Sequence, residues 1–269
     1  MGTIGFIGSG NMAEALINGI ISARLYSPDN VLISDVRPER LDYLSEEYRV
    51  KPVESNTALT KAADVVVLSI KPQNMSQVLE EIQGTLKKEA VVISIAAGIR
   101  TEAIAEYLGD IPIIRAMPNT PAMVDQGATA IVVRNTGTSD CRIAQDMFMA
   151  VGKVEVLENE DLIDAVTAVS GSGPAYFFLL MEEMINAGVK LGLPADIAAE
   201  LVLQTAKGAA LLSEMAHAKN ETPAQLRQRV TSPGGTTEAA MKVFKAKDFD
   251  GLMMAALTAA RDRSKELSK

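Results

Sequence analysis

Three stretches of this 269-residue chain hold residue types whose spacing can do chemistry. The first is "IGFIGSGNMAEAL", in which Gly8, Gly10 and Ala13 stand in a G-x-G-x-x-A spacing. Glycine at 8 permits a tight turn, glycine at 10 lets backbone approach a pyrophosphate, and a small residue at 13 lets a helix lie close on a strand. Ser9, Asn11 and Met12 complete this turn and helix start, where unpaired N–H groups would face phosphate oxygens. A glycine-rich structural turn is the alternative. Dinucleotide binding is favoured over it because the motif follows a strand-like run and opens a helix inside a βαβ pattern. The other two stretches are "VSGSGPAY" (169–176) and "TSPGGTTEAAM" (231–241). In the first, Ser170, Ser172 and Gly173 precede a proline-led helix; in the second, Gly235, Thr236 and Thr237 do so for another. Either is a capped helix start or a cradle for a carboxylate or phosphate. Two of them beside a dinucleotide turn favour a substrate anion.

Further candidates stand at the ends of strand-like runs. "VLISDVRPER" carries Ser34 and Asp35, where an acid hydrogen-bonds the adenosine ribose hydroxyls of NAD(H). Arg37 and Arg40 follow, and arginine there accommodates the 2′-phosphate of NADP(H), so the two signals conflict. Asp35 as a solvated loop acid or helix cap is the bland reading. Ile70, Lys71 and Pro72 of "SIKPQ", Ala96, Ala97 and Gly98 of "SIAAGI", and "RAMPNTPA" (115–122) follow later runs. Small residues at 96–98 would let a flat nicotinamide ring approach the backbone. Singly each is an ordinary strand-to-helix turn; together they describe a crevice beyond the carboxyl ends of strands.

What is missing matters as much. His217 is the only histidine and reads as a solvated helix end, and Cys141 is the only cysteine and reads as packing. A histidine-dependent dehydrogenase mechanism, a metal site and an intrachain disulfide are therefore not expected. A bound cofactor must carry the hard chemistry, with the protein supplying position and hydrogen bonds.

These residues need a scaffold, and the chain offers two styles. Up to about residue 158, near-continuous apolar runs (3–8, 31–34, 65–70, 91–95, 111–116, 128–133 and a short 153–157) alternate with helical stretches. That pattern predicts an α/β fold: a doubly wound, mainly parallel sheet with one crossover per strand. Beyond it every segment reads as helix, several of them apolar on more than one face, as expected of burial against other helices or a second subunit. The division is placed at 1–159 and 160–269. Apolar content of 48 % and no long charge block indicate a folded chain. A net charge of -8 argues against a nucleic-acid surface. No uninterrupted apolar run suggests a membrane span, the start lacks a signal-peptide pattern, and Met1 reads as the start of the folded domain; a cytoplasmic location is expected.

With these residues in place, the chain resembles the pyrroline-5-carboxylate reductases from end to end. The carriers are "GFIGSGNMAEA", "KPQ", "SIAAGI", "RAMPNTPA", and above all "EDLIDAVTAVSGSGPAY" and "TSPGGTT". The resemblance implies reduction of 1-pyrroline-5-carboxylate to L-proline by NADPH or NADH, an N-terminal Rossmann domain and a C-terminal helical dimerisation domain. It also implies a homodimer, extended in some members to a decamer. Gly235, Thr236 and Thr237 would bind the substrate's carboxylate or ring nitrogen, Glu160, Ser170 and Ser172 would lie near it, and the dimer would complete the site. Asn56 matches a position at the adenosine end. Thr237 is expected to orient the substrate, with Ser172 beside the reacting centre. A protonated imine accepts hydride readily, which suits a site without a strong general acid. One departure stands out: members often carry serine, threonine or arginine just after the second strand, where this chain has Asp35, Val36 and Arg37. Substantial NADH use is expected. Two rivals are a β-hydroxyacid dehydrogenase, for which Lys190 and Lys207 lack the matching context, and a non-catalytic dinucleotide sensor.

Overall fold

A computed structural model describes residues 2–267. The expected start at Met1 and the last two residues of the sequence, 268–269, fall outside that range.

Eight strands form one sheet: β1 (Ile4–Ile7), β2 (Val31–Ser34), β3 (Lys51–Pro52), β4 (Val65–Leu68), β5 (Val91–Ser94), β6 (Ile113–Met117), β7 (Gly127–Arg134) and β8 (Gly152–Val156). Their order is β3-β2-β1-β4-β5-β6-β7-β8. All neighbours are parallel except β6 and β7, which run antiparallel with Ala116 opposite Ile131. The single-crossover expectation fails at that pair because only the 3-10 turn Thr120–Val124 links them, too short for a crossover helix. β3 is absent from the sequence reading. It is two exposed residues at the sheet edge, one a proline, with no apolar pattern to announce it.

Helices α1 (Asn11–Ser22), α2 (Pro38–Tyr48), α3 (Asn56–Ala62), α4 (Met75–Ile82), α5 (Thr101–Leu108) and α6 (Thr138–Met149) cover both faces. Alternation along β1 sorts the core: Ile4 and Phe6 join Leu16, Ile20 and Phe148 on one face, while Ile7 joins Leu59, Leu68, Leu79 and Ile104 on the other. All four residues of β1 are buried, which explains its uninterrupted apolar run. Ile7 pairs with Ser34 on one side and Leu68 on the other, so β1, β2 and β4 end level. The strand order reverses between β1 and β4, and a crevice for a ligand opens beyond that point.

The rest is helical: α7 (Ile163–Val166), a π-helical turn (Thr167–Gly171), α8 (Gly173–Lys190), α9 (Ala195–His217), α10 (Pro223–Arg229), α11 (Thr236–Ala246) and α12 (Phe249–Leu267). By contacts the chain divides into Met1–Pro174 with Ala259–Lys269, and Ala175–Thr258. The style change at 159/160 therefore marks where strands end, and the contact boundary lies in the first turn of α8. The last turns of α12 belong to the sheet-containing unit, where Ser264 donates to Asp164 at 2.7 Å.

Within the second unit, Gly192 ends its helix at φ +103, as a glycine stop should. Large apolar side chains stand exposed along α8 and α9, among them Phe177 at 63 % and Phe178 at 61 %. The sequence reading found no uninterrupted membrane-length run. The structure joins α7, the π turn and α8 into one helical run, Glu160–Lys190, long and apolar enough by length and composition to span a bilayer. The serine, glycine and proline cluster read as a break does not interrupt it.

Candidate active site

Four elements build the cofactor crevice. Gly8 follows β1 with φ +90, and a Cβ there would lie 2.3 Å from the carbonyl oxygen of Ser69. Only glycine fits that turn. Its N–H donates to the Ser34 carbonyl at 2.8 Å, which ties the turn to the end of β2. Gly10 differs: it is extended, and nothing lies within 4 Å of its ideal Cβ position. It precedes α1, whose start has no side-chain cap, so the first-turn N–H groups of Asn11 and Met12 have no intrahelical acceptor. Ala13 is fully buried against the sheet, as its place in the motif requires. An open cradle, uncapped N–H groups and a glycine-only turn fit a pyrophosphate.

Asp35 sits just beyond β2, its side chain 6 % exposed. It accepts from Ser9 N at 2.7 Å, from Arg37 N at 3.0 Å, from Arg37 Nε at 3.0 Å and from Arg37 Nη2 at 3.3 Å. Burial alone would raise its carboxyl, but the Arg37 guanidinium and the two backbone N–H donors outweigh it and hold the group below the ordinary carboxylate range. Asp35 is therefore no solvated loop acid; it fixes the glycine-rich turn through Ser9, whose own hydroxyl is buried without a partner. Arg37 keeps its side chain 52 % exposed. Arg40, the other phosphate candidate, is spent elsewhere: it donates to the Ser9 carbonyl at 2.6 Å, pairs with Glu14 and lies over the Tyr43 ring. Tyr43 and Tyr48 also donate to Glu14, and burial beside that carboxylate pushes the Tyr48 hydroxyl up to about 12.

Ser34 donates to Asn56 Oδ1 at 2.8 Å, which places Asn56, at the start of α3, beside the end of β2. Ile70 lies against Gly8, Lys71 is exposed, and Pro72 opens a 3-10 turn after β4. Ala96 is buried and Ala97 partly so after β5. Gly98 has a backbone neighbour of a different kind from the one expected. At φ +77, a Cβ there would lie 2.9 Å from the carbonyl oxygen of Leu267, so its smallness admits the end of α12.

The residues around the π turn form a second group in the same unit. Glu160 opens a 3-10 turn capped by Asn159. Its carboxylate accepts from Thr101 N at 2.9 Å, Thr101 Oγ1 at 2.7 Å and Arg115 Nη1 at 2.8 Å, with side-chain exposures of 14 % for Glu160 and 2 % for Arg115. Burial would raise this carboxyl; Arg115 and Thr101 win and lower it. Glu160 thus caps α5 and ties the helical segment to β6. Asp161 pairs with Arg100 at 2.7 Å beside it. Asn119, buried after β6, accepts from Ala128 N at 2.8 Å and donates to the Ser170 carbonyl at 3.0 Å. Ser170 Oγ donates to the Val166 carbonyl, and Ser172 N to the Thr167 carbonyl at 2.7 Å. Arg115, Thr101 and Asn119 were not singled out from sequence.

In the second unit, Gly234 (φ +73) and Gly235 lead into α11. Gly235 N donates to the Ser232 carbonyl at 3.0 Å and Gly234 N to Glu238 at 3.1 Å. Gly235 stands at the cap position, and no side chain caps this helix start. Thr236 and Thr237 occupy its first turn, the first exposed and the second partly buried. Gly235 itself occupies the cap position, and Glu238 turns back onto the Gly234 N–H.

Residues 160–267 match the family described as pyrroline-5-carboxylate reductase dimerisation, and residues 3–98 match the family described as NADP oxidoreductase, coenzyme F420-dependent. The chain is 47 % identical to the pyrroline-5-carboxylate reductase of Pseudomonas aeruginosa, over 99 % of this chain and 97 % of that protein. A solved pyrroline-5-carboxylate reductase from Coxiella burnetii superposes with a TM-score of 0.91 at 41 % identity, over 100 % of this chain and 99 % of that one. The Plasmodium falciparum pyrroline carboxylate reductase, solved with NADP bound, gives 0.89 at 30 % identity over 100 % and 98 %. This end-to-end likeness, with the dimerisation family matched over 160–267, places the chain in the pyrroline-5-carboxylate reductase family.

Proposed function

We infer that this protein reduces 1-pyrroline-5-carboxylate to L-proline with NAD(P)H, the last step of proline biosynthesis. The observation that carries the reading is the end-to-end likeness to pyrroline-5-carboxylate reductases, supported by a pyrophosphate cradle at Gly10 in one unit and a hydroxyl- and amide-rich helix start at Gly235–Thr237 in the other. When bound, the nicotinamide cofactor supplies the hydride. The chain's residues position the reactants. Gly8, Ser9, Gly10, Asn11 and Met12 hold the pyrophosphate; Ser34, Asp35, Arg37 and Asn56 face the adenosine end; Ile70, Lys71, Pro72, Ala96, Ala97 and Gly98 bound the rest of the crevice. Gly235, Thr236 and Thr237 take the substrate's carboxylate, with Thr237 orienting the ring. Ser170 and Ser172 present hydroxyls near the reacting centre, and Glu160 anchors their segment from its base. A cyclic iminium needs no strong general acid, so positioning supplies most of the rate.

Asp35 supports substantial use of NADH. A carboxylate accepts about four hydrogen bonds, and the four donors on Asp35 fill it. Ribose hydroxyls enter by displacing the exposed Arg37, while a 2′-phosphate must draw Arg37 away and then tolerate Asp35. The reductase assay with each cofactor decides: comparable kcat/KM supports this, and an NADPH preference of about a hundredfold, or ~2.7 kcal/mol, overturns it. Absence of turnover of pyrroline-5-carboxylate with either cofactor overturns the whole reading.

We assign the exposed apolar faces of α8 and α9 to a homodimer, with further assembly to a decamer. Glu160–Lys190 belongs to the region matched by the dimerisation family, and its apolar face is assigned to a second subunit rather than a bilayer. We place the enzyme in the cytoplasm and assign residues 1–159 to the cofactor and 160–269 to substrate and assembly.

A further inference from the structure

The backbone at Ser170 has a deficit written into the sequence. In an α-helix its carbonyl accepts from the N–H four residues on, and that residue is Pro174, which has none. The chain answers with the π turn Thr167–Gly171, closed by Ser172 N donating to the Thr167 carbonyl at 2.7 Å. Ser170 is partly buried, and a carbonyl left unpaired there is costly. The donor comes from outside the helix: Asn119 Nδ2 lies 3.0 Å from the Ser170 carbonyl oxygen. Asn119 is 8 % exposed, and its Oδ1 accepts from Ala128 N at 2.8 Å, so both ends of the amide are used and only one orientation satisfies them. Met117, two residues earlier, closes in as well, since a Cβ on Gly171 would lie 2.5 Å from its Cε.

We propose that Asn119 is a positioning residue for the reduction. It replaces the missing N–H of Pro174, locks the π turn, and so sets where Ser170, Ser172 and Gly173 present their hydroxyls and backbone to the imino acid. π turns inside helices are frequent at functional sites, where they re-aim backbone and side chains. The strand end that bounds the crevice thereby fixes the start of α8 by one side chain. This rests on the reading that Ser170 and Ser172 face the substrate.

The variant Asn119→Asp separates the two hydrogen bonds. It keeps the acceptor for Ala128 N, removes the donor to Ser170, and sets a negative oxygen against that carbonyl. The expected result is a rise of about tenfold in KM for pyrroline-5-carboxylate, with the cofactor KM unchanged within about twofold and the protein folded. A purely structural role at the start of β7 predicts wild-type kinetics for N119D, and that outcome overturns the proposal. Where N119D does not fold, the pair N119A and N119A/P174A carries the test. Residue 174 regains an N–H in the double variant, so the substrate KM raised by N119A must fall back toward that of P174A; independent effects overturn the proposal. Ser172→Ala distinguishes the underlying reading. An unchanged substrate KM there removes serine from the site, whereas a raised KM in S172A beside a normal N119D defeats the Asn119 inference alone.

Discussion

Thr237 stands in the first turn of α11, partly buried, at a helix start whose cap position is held by Gly235. Such a start attracts a carboxylate through unpaired donors and the helix dipole together. Thr237→Ala removes one donor and leaves the backbone unchanged. We expect kcat/KM for the imino acid to fall about a hundredfold, with cofactor affinity and thermal midpoint retained. Wild-type turnover in T237A would return the loop to a plain helix start. Glu160 calls for a different experiment, because its carboxylate is held by Thr101 and Arg115. Its folded carboxyl lies below the ordinary value, so its stabilisation is present at neutral pH, above the unfolded value, and is lost as pH falls through the folded one. Glu160→Gln should cost about 2 kcal/mol at neutral pH, less than for a fully buried pair because the carboxylate keeps some exposure. The difference in thermal midpoint from wild type should shrink below about pH 4. A difference constant with pH would show that the ion pair carries no stability.

At the scale of elements, Gly8 and Gly10 serve one motif for unlike reasons, and two alanine variants separate them. Gly8→Ala drives a Cβ into the Ser69 carbonyl at φ +90, so it should lower the thermal midpoint as well as cofactor binding. Gly10→Ala meets open space and an extended backbone, so the fold should hold while dinucleotide affinity drops by about tenfold or more. Equal thermal loss in both would show that Gly10 is structural. Much of this level was legible in the sequence. β1, β2, β4 and β5 are covered on both faces, so their residues are apolar except for Ser34 and Ser94 at the strand ends. β3 was not legible because a two-residue exposed edge has no periodicity. The π turn left no mark in the apolar pattern, although Pro174 held the reason for it in plain view. What hid Asn119 and Arg115 was their partners: an asparagine between prolines and an arginine in a strand become informative only when Ser170 and Glu160 are seen beside them. Asp35 was legible by position and not by occupancy, since Ser9 and Arg37 reach it only in three dimensions.

For the whole molecule, the question is what covers α8 and α9. Phe177, Phe178, Leu179 and Leu180 follow one another along α8 with all four side chains exposed, too much contiguous apolar surface for a stable isolated monomer. The solution mass should be a multiple of the 28.6 kDa chain, read by light scattering after size exclusion. Phe178→Glu should reduce that mass or precipitate the protein, because a charge on a desolvated interface costs several kcal/mol. A wild-type chain running at its own mass would remove the assignment of these faces to a second subunit.

The contact between Gly98 and Leu267 has a consequence in time. Synthesis delivers the strand before Gly98 early, yet the helix end that seats on that glycine emerges far later. Ser264, which donates to Asp164, arrives equally late. A nascent chain on the ribosome can therefore assemble the sheet vectorially but cannot finish this corner of it until Leu267 has emerged. A chain truncated before Ser264 would lack both contacts and leave Gly98 and Asp164 without the helix that seats on them.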